Sequence, residues 1–390
     1  MKKIIILGPP GCFSKRDYER LGIGFLKKNF SVKFLDFTPW IFPNFWKKVS
    51  NELYKCEEHI IISCKQDFLS FNLETDPVIV VDLVEKNIKT NWVREQLKKR
   101  NSLFVALDVN PIPGIKTNSK RVLVDLIAEP KRFFRKLFKF FVNKYYSLIN
   151  TYHPDILVLG GLAALKKSKV ENKIFAHSLD YDIYLDIKNK PTSNKNSYAV
   201  FLDVDIINHP DTIILNLGSS VTEFQYYPIL IKFLKKFETD TGLQIKFAIH
   251  PKSRNKNLRN LLEGIPCYEE NTAELVRNSS AVLLHASTAI SYAVLFKKPT
   301  IFLTSNKLKN TWIGPRIENL AKIVNAKVLN MNDDLNKPLN SKDLLKIDEE
   351  KYKNYVDQYL KVPNSPDIPL WKIFLDFIKK NNSKNIINNL

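Results

Sequence analysis

Short apolar runs alternate with amphipathic stretches along the first half of the chain. The runs are rich in Ile, Val, Leu and Phe and show no clean alternation of polar and apolar positions, which is typical of strands buried on both faces of a parallel sheet. They predict strands over residues 3–7, 31–37, 59–63, 78–84, 103–108, 156–159 and 173–176. Helical periodicity separates most of them, beginning at residues 17–30, so this half predicts an α/β domain.

The same pattern restarts after residues 188–197, a polar stretch that predicts a linker or surface loop. Beyond it, apolar runs predict strands over residues 198–204, 212–217, 244–249, 281–284, 300–304 and 326–329. Predicted helices cover residues 226–237, 271–278 and 289–296, and a helical stretch begins at residue 351. A second α/β domain therefore follows the first.

The length agrees with this division, because 390 residues exceed what one hydrophobic core usually serves. We predict an α/β protein with two Rossmann-like, doubly wound domains that face each other across a cleft. The expected boundaries are residues 1–192 for the first domain, 193–345 for the second, and 346–390 for C-terminal helices that pack back on the first. A cleft between two such domains is a common ligand site.

The chain is strongly basic, with 60 Lys and Arg against 40 Asp and Glu and a net charge of +20. Such an excess favours an anionic partner: nucleic acid, an acidic membrane or a phosphorylated substrate. A Lys-rich surface from a biased genome would give the same charge. The four cysteines are scattered, as in a reduced cytoplasmic protein, and no apolar run approaches the ~20 residues of a membrane span.

Two polar clusters follow predicted strands of the second domain and together predict a nucleotide site. Ser287 and Thr288 lie between a strand and a helix, where free backbone N–H groups and hydroxyls suit a phosphate. His250 begins the other cluster at a strand end, the edge where ligands bind in open α/β sheets. An ordinary N-cap is the alternative for Ser287 and Thr288. The predicted nucleotide-binding residues are Gly218, Ser219, His250, Pro251, Lys252, His285, Ser287 and Thr288.

Four aspartates form the predicted catalytic pool. Asp180 and Asp182 follow the strand at 173–176, and Asp203 and Asp205 follow the first strand of the second domain. Carboxylates at strand ends suit a catalytic base, or a nucleophile that forms a covalent glycosyl intermediate. A plain turn or a helix cap is the alternative. No further acid or His completes a metal site, so we predict no bound metal.

The first turn of the predicted helix at 17–30 supplies candidate acceptor contacts. Ser14, Lys15, Arg16 and Asp17 follow the first strand, and His177 is placed with them. A solvated helix start is the alternative for this segment. Residues 8–15 lack the Gly-Lys-Ser/Thr ending of a nucleotide-binding phosphate loop, which excludes an ATPase of that type.

Residues 131–148 combine Lys and Arg with Phe, Tyr and Leu at helical spacing, and no acid interrupts them. Such a helix suits the surface of an anionic membrane. An apolar face buried in the domain core is the alternative, and both can hold together. The sequence therefore predicts peripheral membrane contact through residues 131–148.

This set of features resembles bacterial GT-B glycosyltransferases of surface-polysaccharide assembly, especially those using CMP-activated acidic sugars of the sialic acid or Kdo type. In those families a His-Pro dipeptide and a Ser/Thr pair hold the CMP, and His250-Pro251 and Ser287-Thr288 occur here in that order. The resemblance implies an acceptor-binding first domain and a second domain that binds the nucleotide sugar, with CMP favoured over UDP or GDP. It also implies that the acceptor is a glycan or a lipid-linked glycan and that no other cofactor is needed. The enzyme would be cytoplasmic and would work at the inner face of the membrane. Inverting and retaining courses both stay open.

Two rival functions belong to other classes. A GT-B-shaped sugar epimerase or polyol-phosphate transferase would use the same domains. A basic nucleic-acid-binding protein would explain the charge, but the basic residues are spread over the chain and no recognised binding module occurs. We therefore expect no nucleic acid among the partners.

Overall fold

A computed structural model describes residues 3–71, 78–110, 113–114, 141, 153–165, 169–191, 197–208, 221–253, 255 and 257–382. The strands are β1 (Lys3–Gly8), β2 (Ser31–Asp36), β3 (His59–Ile61), β4 (Ile79–Asp82), β5 (Leu103–Asp108), β6 (Ile156–Leu159), β7 (Asn172–Phe175), β8 (Tyr198–Leu202), β9 (Gln244–Ala248), β10 (Cys267–Tyr268), β11 (Ala281–Leu284), β12 (Thr300–Thr304) and β13 (Lys327–Asn330).

The α-helices are α1 (Lys15–Arg20), α2 (Ile23–Leu26), α3 (Thr38–Ile41), α4 (Pro43–Val49), α5 (Lys65–Ser70), α6 (Ile88–Lys98), α7 (Leu162–Leu165), α8 (Leu179–Ile187), α9 (Glu223–Thr241), α10 (Leu258–Leu261), α11 (Thr272–Arg277), α12 (Ile290–Leu295), α13 (Gly314–Val324), α14 (Ser341–Leu344), α15 (Glu349–Tyr355) and α16 (Leu370–Asn382). A π-helical turn covers Val356–Leu360, and 3₁₀ turns cover Ser50–Glu52 and Leu308–Asn310. No helix in these residues is long and apolar enough to cross a membrane.

The strands form two parallel sheets. The first has seven strands in the order β3-β2-β1-β4-β5-β6-β7, and the second has six in the order β10-β9-β8-β11-β12-β13. In each sheet the strand order reverses at the first strand, between β1 and β4 and between β8 and β11. Ligands of open α/β sheets bind outside the carboxyl ends of the strands at such a reversal. The predicted α/β class with two doubly wound domains is confirmed.

Successive residues of a strand point to opposite faces of the sheet, so each sheet has two apolar faces. Helices cover both of them. Ile4 and Ile6 of β1 pack in one cluster with Trp371 and Phe374 of α16. On the other face, the neighbouring β1 residues pack in a cluster that includes residues of α5 and α6. The second sheet shares one large core with α9, α12, α13 and α15.

The C-terminal segment crosses from the second domain to the first. Tyr352 and Tyr355 of α15 lie in the core of the second domain, whereas α16 packs on the first sheet. At the crossing, the backbone of Gln358 lies so close to Gly161 that a side chain there would clash. The predicted return of a C-terminal helix to the first domain is confirmed for α16, whereas α15, which the sequence assigned to the same returning segment, packs with the second domain.

Several predicted elements differ in detail. The helix expected over 17–30 is divided into α1 and α2 at Gly22, whose φ of +60° is a left-handed conformation. The C-terminal helical stretch is interrupted between residues 361 and 369, which contain three prolines. The short strand β10 was not predicted. The predicted strand at 212–217 lies outside the described residues, as does the proposed boundary at 192, so the domain limits stay a prediction.

Candidate active site

The carboxyl ends of β8, β9 and β11 lie side by side at the reversal point of the second sheet. Leu202, the last residue of β8, is in register with Ala248 of β9 and with Leu284 of β11. The polar residues that follow each strand therefore begin at the same level. The structure thus places Asp203, the His250 cluster and the segment that contains Ser287 at one edge of the sheet, and their roles in nucleotide binding and catalysis stay predictions.

Asp203 is a buried carboxyl group at this edge. Its side chain accepts hydrogen bonds from the backbone N–H of Asp205 at 2.9 Å and of His250 at 3.3 Å. Burial raises the pKa of Asp203 to about 7, and the negative charge of Asp205 acts in the same direction. A carboxyl group that titrates near neutral pH can give or take a proton during a reaction.

Asp205 has an unusual backbone conformation, with a φ of +45°. Its Oδ1 accepts a hydrogen bond from the backbone N–H of Asn208 at 3.2 Å, so the residue shapes the turn after β8. Left-handed non-glycine residues cost free energy and are concentrated at functional sites. The two aspartates therefore form one tightly folded turn.

His250 is half-buried at the end of β9. Its Nδ1 accepts a hydrogen bond from the backbone N–H of Lys252 at 3.2 Å, which places the proton of a neutral imidazole on Nε2. The side chain of Lys252 extends to the first domain, since a Cβ placed on Gly11 would lie 3.8 Å from its Nζ. Pro251 and Lys252 are exposed. The loop after β9 therefore adjoins the loop after β1.

Ser287 and Thr288 differ in accessibility. Ser287 is buried, and its Oγ accepts a hydrogen bond from the backbone N–H of Ala289 at 3.3 Å. Thr288 is exposed. The helix begins later than predicted, at Ile290, so 286–289 form a turn. Within the described residues, Thr288 presents the accessible hydroxyl of this pair.

His285 is sealed beneath the strand ends. The ring is fully buried; Nδ1 donates to the carbonyl of Leu303 at 2.6 Å, and Nε2 accepts from the hydroxyl of Tyr226 at 2.8 Å. Burial lowers the pKa of His285 to about 4, so the ring is neutral at physiological pH. This geometry argues against the predicted nucleotide contact, because both ring nitrogens are engaged inside the core.

Asp180 joins the two domains. Its carboxylate accepts hydrogen bonds from Arg20 at 2.8 Å, from Ser291 at 2.5 Å and from Tyr292 at 3.2 Å. Arg20 ends α1 of the first domain, whereas Ser291 and Tyr292 belong to α12 of the second. These three donors hold the Asp180 side chain in place, so it fixes the contact between the domains. Sequence reasoning placed Asp180 in the catalytic pool and missed Ser291 and Tyr292, which no polar motif marks.

His177 and Asp182 hold the C-terminal crossing. His177 is fully buried, and its Nε2 lies 2.9 Å from the carbonyl oxygen of Ile368. Asp182 accepts a hydrogen bond from the backbone N–H of Leu370, the first residue of α16, at 2.9 Å. Burial raises the pKa of Asp182. The burial of His177 argues against its predicted acceptor contact, since a ligand cannot reach it.

The first turn of α1 divides into structural and accessible side chains. Ser14 and Asp17 form a capping box: Ser14 donates to Asp17 at 2.7 Å and accepts from its backbone N–H at 3.2 Å. Lys15 is exposed. Arg16 is also solvent-accessible, yet surrounding protein lowers its pKa, and the charge of Arg20 adds to that effect. Arg16 and Lys15 therefore remain the accessible cations of this segment.

Two predicted nucleotide-binding residues and most of the predicted membrane helix are not among the described residues. Gly218 and Ser219 lie outside the described residues, as do residues 131–148 except Phe141. Among the residues that are described, no group of three His, Cys, Asp or Glu side chains is arranged to hold a metal ion.

No family model matches the sequence, and no curated protein matches it. Solved structures match the fold over nearly the whole chain. The calicheamicin glycosyltransferase CalG4 has a TM-score of 0.53 and 10% identity over 99% of this chain and 99% of that chain. A variant of the wall teichoic acid polymerase TagF has a TM-score of 0.55 and 12% identity over 99% of this chain and 90% of that chain. At such identities the likeness shows the fold alone. The chain has the GT-B fold of these structures.

Proposed function

We propose that this protein is a glycosyltransferase that moves a sugar from a nucleotide donor to a surface-polysaccharide or lipid-linked glycan acceptor. The observation that carries the proposal is the pairing of Asp203 with the backbone of His250 at the reversal point of the second sheet. A carboxyl group with a pKa of about 7 thus contacts the backbone of a histidine on the edge where α/β sheets bind ligands, and this supports the proposal.

The second domain would bind the nucleotide. Thr288 and the imidazole of His250 would contact the phosphate, and Lys252 would neutralise charge that develops on the leaving group. Asp203 would exchange the proton, with Asp205 as the alternative carboxylate. The His-Pro and Ser-Thr elements favour CMP over UDP or GDP, and an acidic nonulosonic or Kdo-type sugar is the proposed cargo.

The first domain would bind the acceptor. Lys15 and Arg16 are accessible on α1, and Arg16 lies near Tyr292 of the second domain. Two such cations suit an acceptor that carries phosphate or carboxylate groups. We propose a cytoplasmic enzyme that contacts the inner face of the membrane, with residues 131–148 as one contact.

Isothermal titration with CMP, UDP and GDP tests the nucleotide site. We expect one nucleotide to bind, and His250→Ala and Thr288→Ala to weaken it about 5- to 30-fold each, as loss of a charge-assisted or phosphate hydrogen bond predicts. His153→Ala is the matched control, because His153 is an exposed imidazole of the first domain. Absence of binding by all three nucleotides would refute the nucleotide-dependent function.

We further propose that the transfer needs no metal, because cationic side chains are available to stabilise the leaving phosphate. Activity should persist in EDTA at the level measured without it. Loss of activity in EDTA, restored by a divalent cation, would contradict this part of the proposal.

Transfer of a polyol phosphate is a second candidate, and the fold likeness to TagF over 99% of this chain favours it. The two reactions differ in the bond that breaks: a glycosyltransferase releases the whole nucleotide phosphate, whereas a polyol-phosphate transferase leaves one phosphate on the product. Mass spectrometry of the product therefore separates them, since only the second reaction adds phosphorus to the acceptor.

A further inference from the structure

An aromatic and basic surface on the first domain is not used by the proposed chemistry. Trp40 of α3 and Trp92 of α6 meet edge to face, with ring centroids 6.2 Å apart. The Nζ of Lys65 lies 5.1 Å from the centroid of the Trp92 ring, and that of Lys89 lies 5.9 Å from Trp40. Lys89 also donates to the carbonyl oxygen of Trp40 at 2.6 Å. These contacts join α3, α5 and α6 into one surface.

Two large aliphatic side chains project from the same surface into solvent. Leu69 of α5 is 54% exposed, and Ile88 of α6 is 62% exposed. Leu69 is four residues after Lys65, and Ile88 is four residues before Trp92, so each shares a helix face with a member of the aromatic contact. We call Trp40, Lys65, Leu69, Ile88, Lys89 and Trp92 the α3–α6 patch.

The α3–α6 patch adjoins the loop that reaches the second domain. The hydroxyl of Thr38, two residues before Trp40, accepts from the backbone N–H of Gly11 at 3.0 Å and donates to its carbonyl at 3.2 Å. Gly11 is the residue that Lys252 approaches from the second domain. The patch therefore lies beside the edge of the first domain where the proposed acceptor site is.

We propose that the α3–α6 patch docks the protein on an anionic phospholipid bilayer. Exposed Leu69 and Ile88 would insert at the boundary between head groups and acyl chains, and the two indoles suit the interface because they are apolar with one polar edge. Lys65 and Lys89 would contact anionic head groups. A lipid-linked acceptor would then enter the site from the membrane, and this consequence rests on the proposed function.

A glycan chain is the competing occupant, and the geometry disfavours it. Sugar rings stack on flat, open aromatic faces, whereas here an ammonium group lies over each indole and Phe68 meets Trp92 edge to face at 5.7 Å. The most exposed apolar groups of the patch, Leu69 and Ile88, are aliphatic, whereas Trp40 and Trp92 are partly buried against the domain core. The net charge of +20 complements an acidic lipid surface.

Vesicle sedimentation of the full chain tests the proposal. The protein should bind vesicles of phosphatidylcholine mixed with phosphatidylglycerol and should not bind vesicles of phosphatidylcholine alone. The double variant Lys65→Glu/Lys89→Glu should bind the mixed vesicles about 20-fold or more weakly, since each basic residue near the surface contributes roughly fivefold. Leu69→Ser/Ile88→Ser should weaken binding several-fold without a change in charge.

The matched control is Lys322→Glu/Lys342→Glu, which makes the same charge change at exposed lysines of the second domain and should bind as the parent does. Nucleotide affinity of all three variants should equal that of the parent, so a failed docking proposal is separated from a failed nucleotide site. The proposal is overturned if the patch variants bind mixed vesicles as the parent does, if the control loses as much, or if the patch variants lose affinity for a soluble glycan instead.

Discussion

The carboxyl edges of the two sheets each hold a buried carboxylate, but the two are stabilised differently. Asp82 at the end of β4 accepts hydrogen bonds from the guanidinium of Arg94 at 2.7 and 2.9 Å. Asp203, after β8, accepts from two backbone N–H groups. Among the described residues, no cationic side chain forms an ion pair with Asp203.

This difference separates a carboxylate with a cationic partner from one without an ion pair among the described residues. A paired guanidinium neutralises the charge of Asp82 and occupies both of its oxygens, so that carboxylate holds the loop after β4 in place. Backbone amides orient Asp203 but leave burial as the dominant influence, which raises its pKa to about 7. The same type of side chain at the same edge is therefore held in an ion pair in the first domain, whereas in the second it is the carboxyl group that we propose as the proton donor or acceptor.

Asp203→Asn should give the largest effect, a loss of about 10²- to 10⁴-fold in transfer rate. The amide keeps the size of the side chain but cannot carry the proton. The measurement is nucleotide release with the donor whose nucleotide binds most tightly, with Asp205→Asn as the comparison. A variant rate within a few-fold of the parent would show that Asp203 only positions His250.

Arg94→Met should cost about 3–5 kcal/mol in the free energy of unfolding, because it leaves the charge of Asp82 buried without its partner. Urea denaturation measures the loss, and Lys98→Met, at an exposed lysine of the same helix, is the control. Asp82→Asn added to Arg94→Met should recover part of the stability. If the single variant is as stable as the parent, the two edges do not differ as described.

The pH dependence of stability sharpens the comparison further. The folded pKa of Asp203 lies above the ordinary value of 3.8, so its contribution to stability is complete below about pH 4 and is lost as pH rises towards 7. The parent should therefore lose about 2–4 kcal/mol relative to Asp203→Asn between pH 4 and pH 8. Thermal or urea unfolding across this range measures the difference.

His285 supplies an internal control with the opposite sign. Its folded pKa of about 4 lies below the ordinary 6.5, so its contribution is present above pH 6.5 and is lost as pH falls through 4. The parent should thus gain stability relative to His285→Gln as pH rises over that window. Equal pH profiles for the two variants would contradict both burial arguments.

Asp180→Asn should produce the smallest change, a loss of about 1–3 kcal/mol in the free energy of unfolding, with the transfer rate reduced far less than in Asp203→Asn. Its carboxylate is already bound by Arg20, Ser291 and Tyr292, so its role is to hold the domains together. A collapse of the rate without a loss of stability would return Asp180 to the catalytic pool.

Much of the fold could be predicted because buried parallel strands are continuous apolar runs. Strands such as β5 and β11 have the predicted bounds, and the helices between them follow from periodicity. The break between α1 and α2 was harder to predict from the sequence. It depends on the left-handed backbone of Gly22, where the Trp371 ring of α16 leaves no room for a side chain.

The site was predicted less completely, because the side chain of a polar residue after a strand can face either the ligand edge or the protein core. His250 and Asp203 reach the same edge as expected, and Lys252 is accessible there. His285 and His177 follow strands in the same manner, yet both are buried against carbonyl groups contributed by distant segments. The sequence around each histidine does not indicate these distant hydrogen-bond partners.

The sequence by itself determined the elements, the two-domain division and the strand ends where chemistry can occur, because these depend on short-range periodicity and on the free backbone groups at strand and helix ends. Tertiary structure alone decided the strand order, the neighbours of each carboxylate and the accessibility of each imidazole. Those properties depend on which remote segments pack together. Burial and pairing with such segments set the pKa values of Asp203 and His285, and so decide which polar residue is available to a ligand.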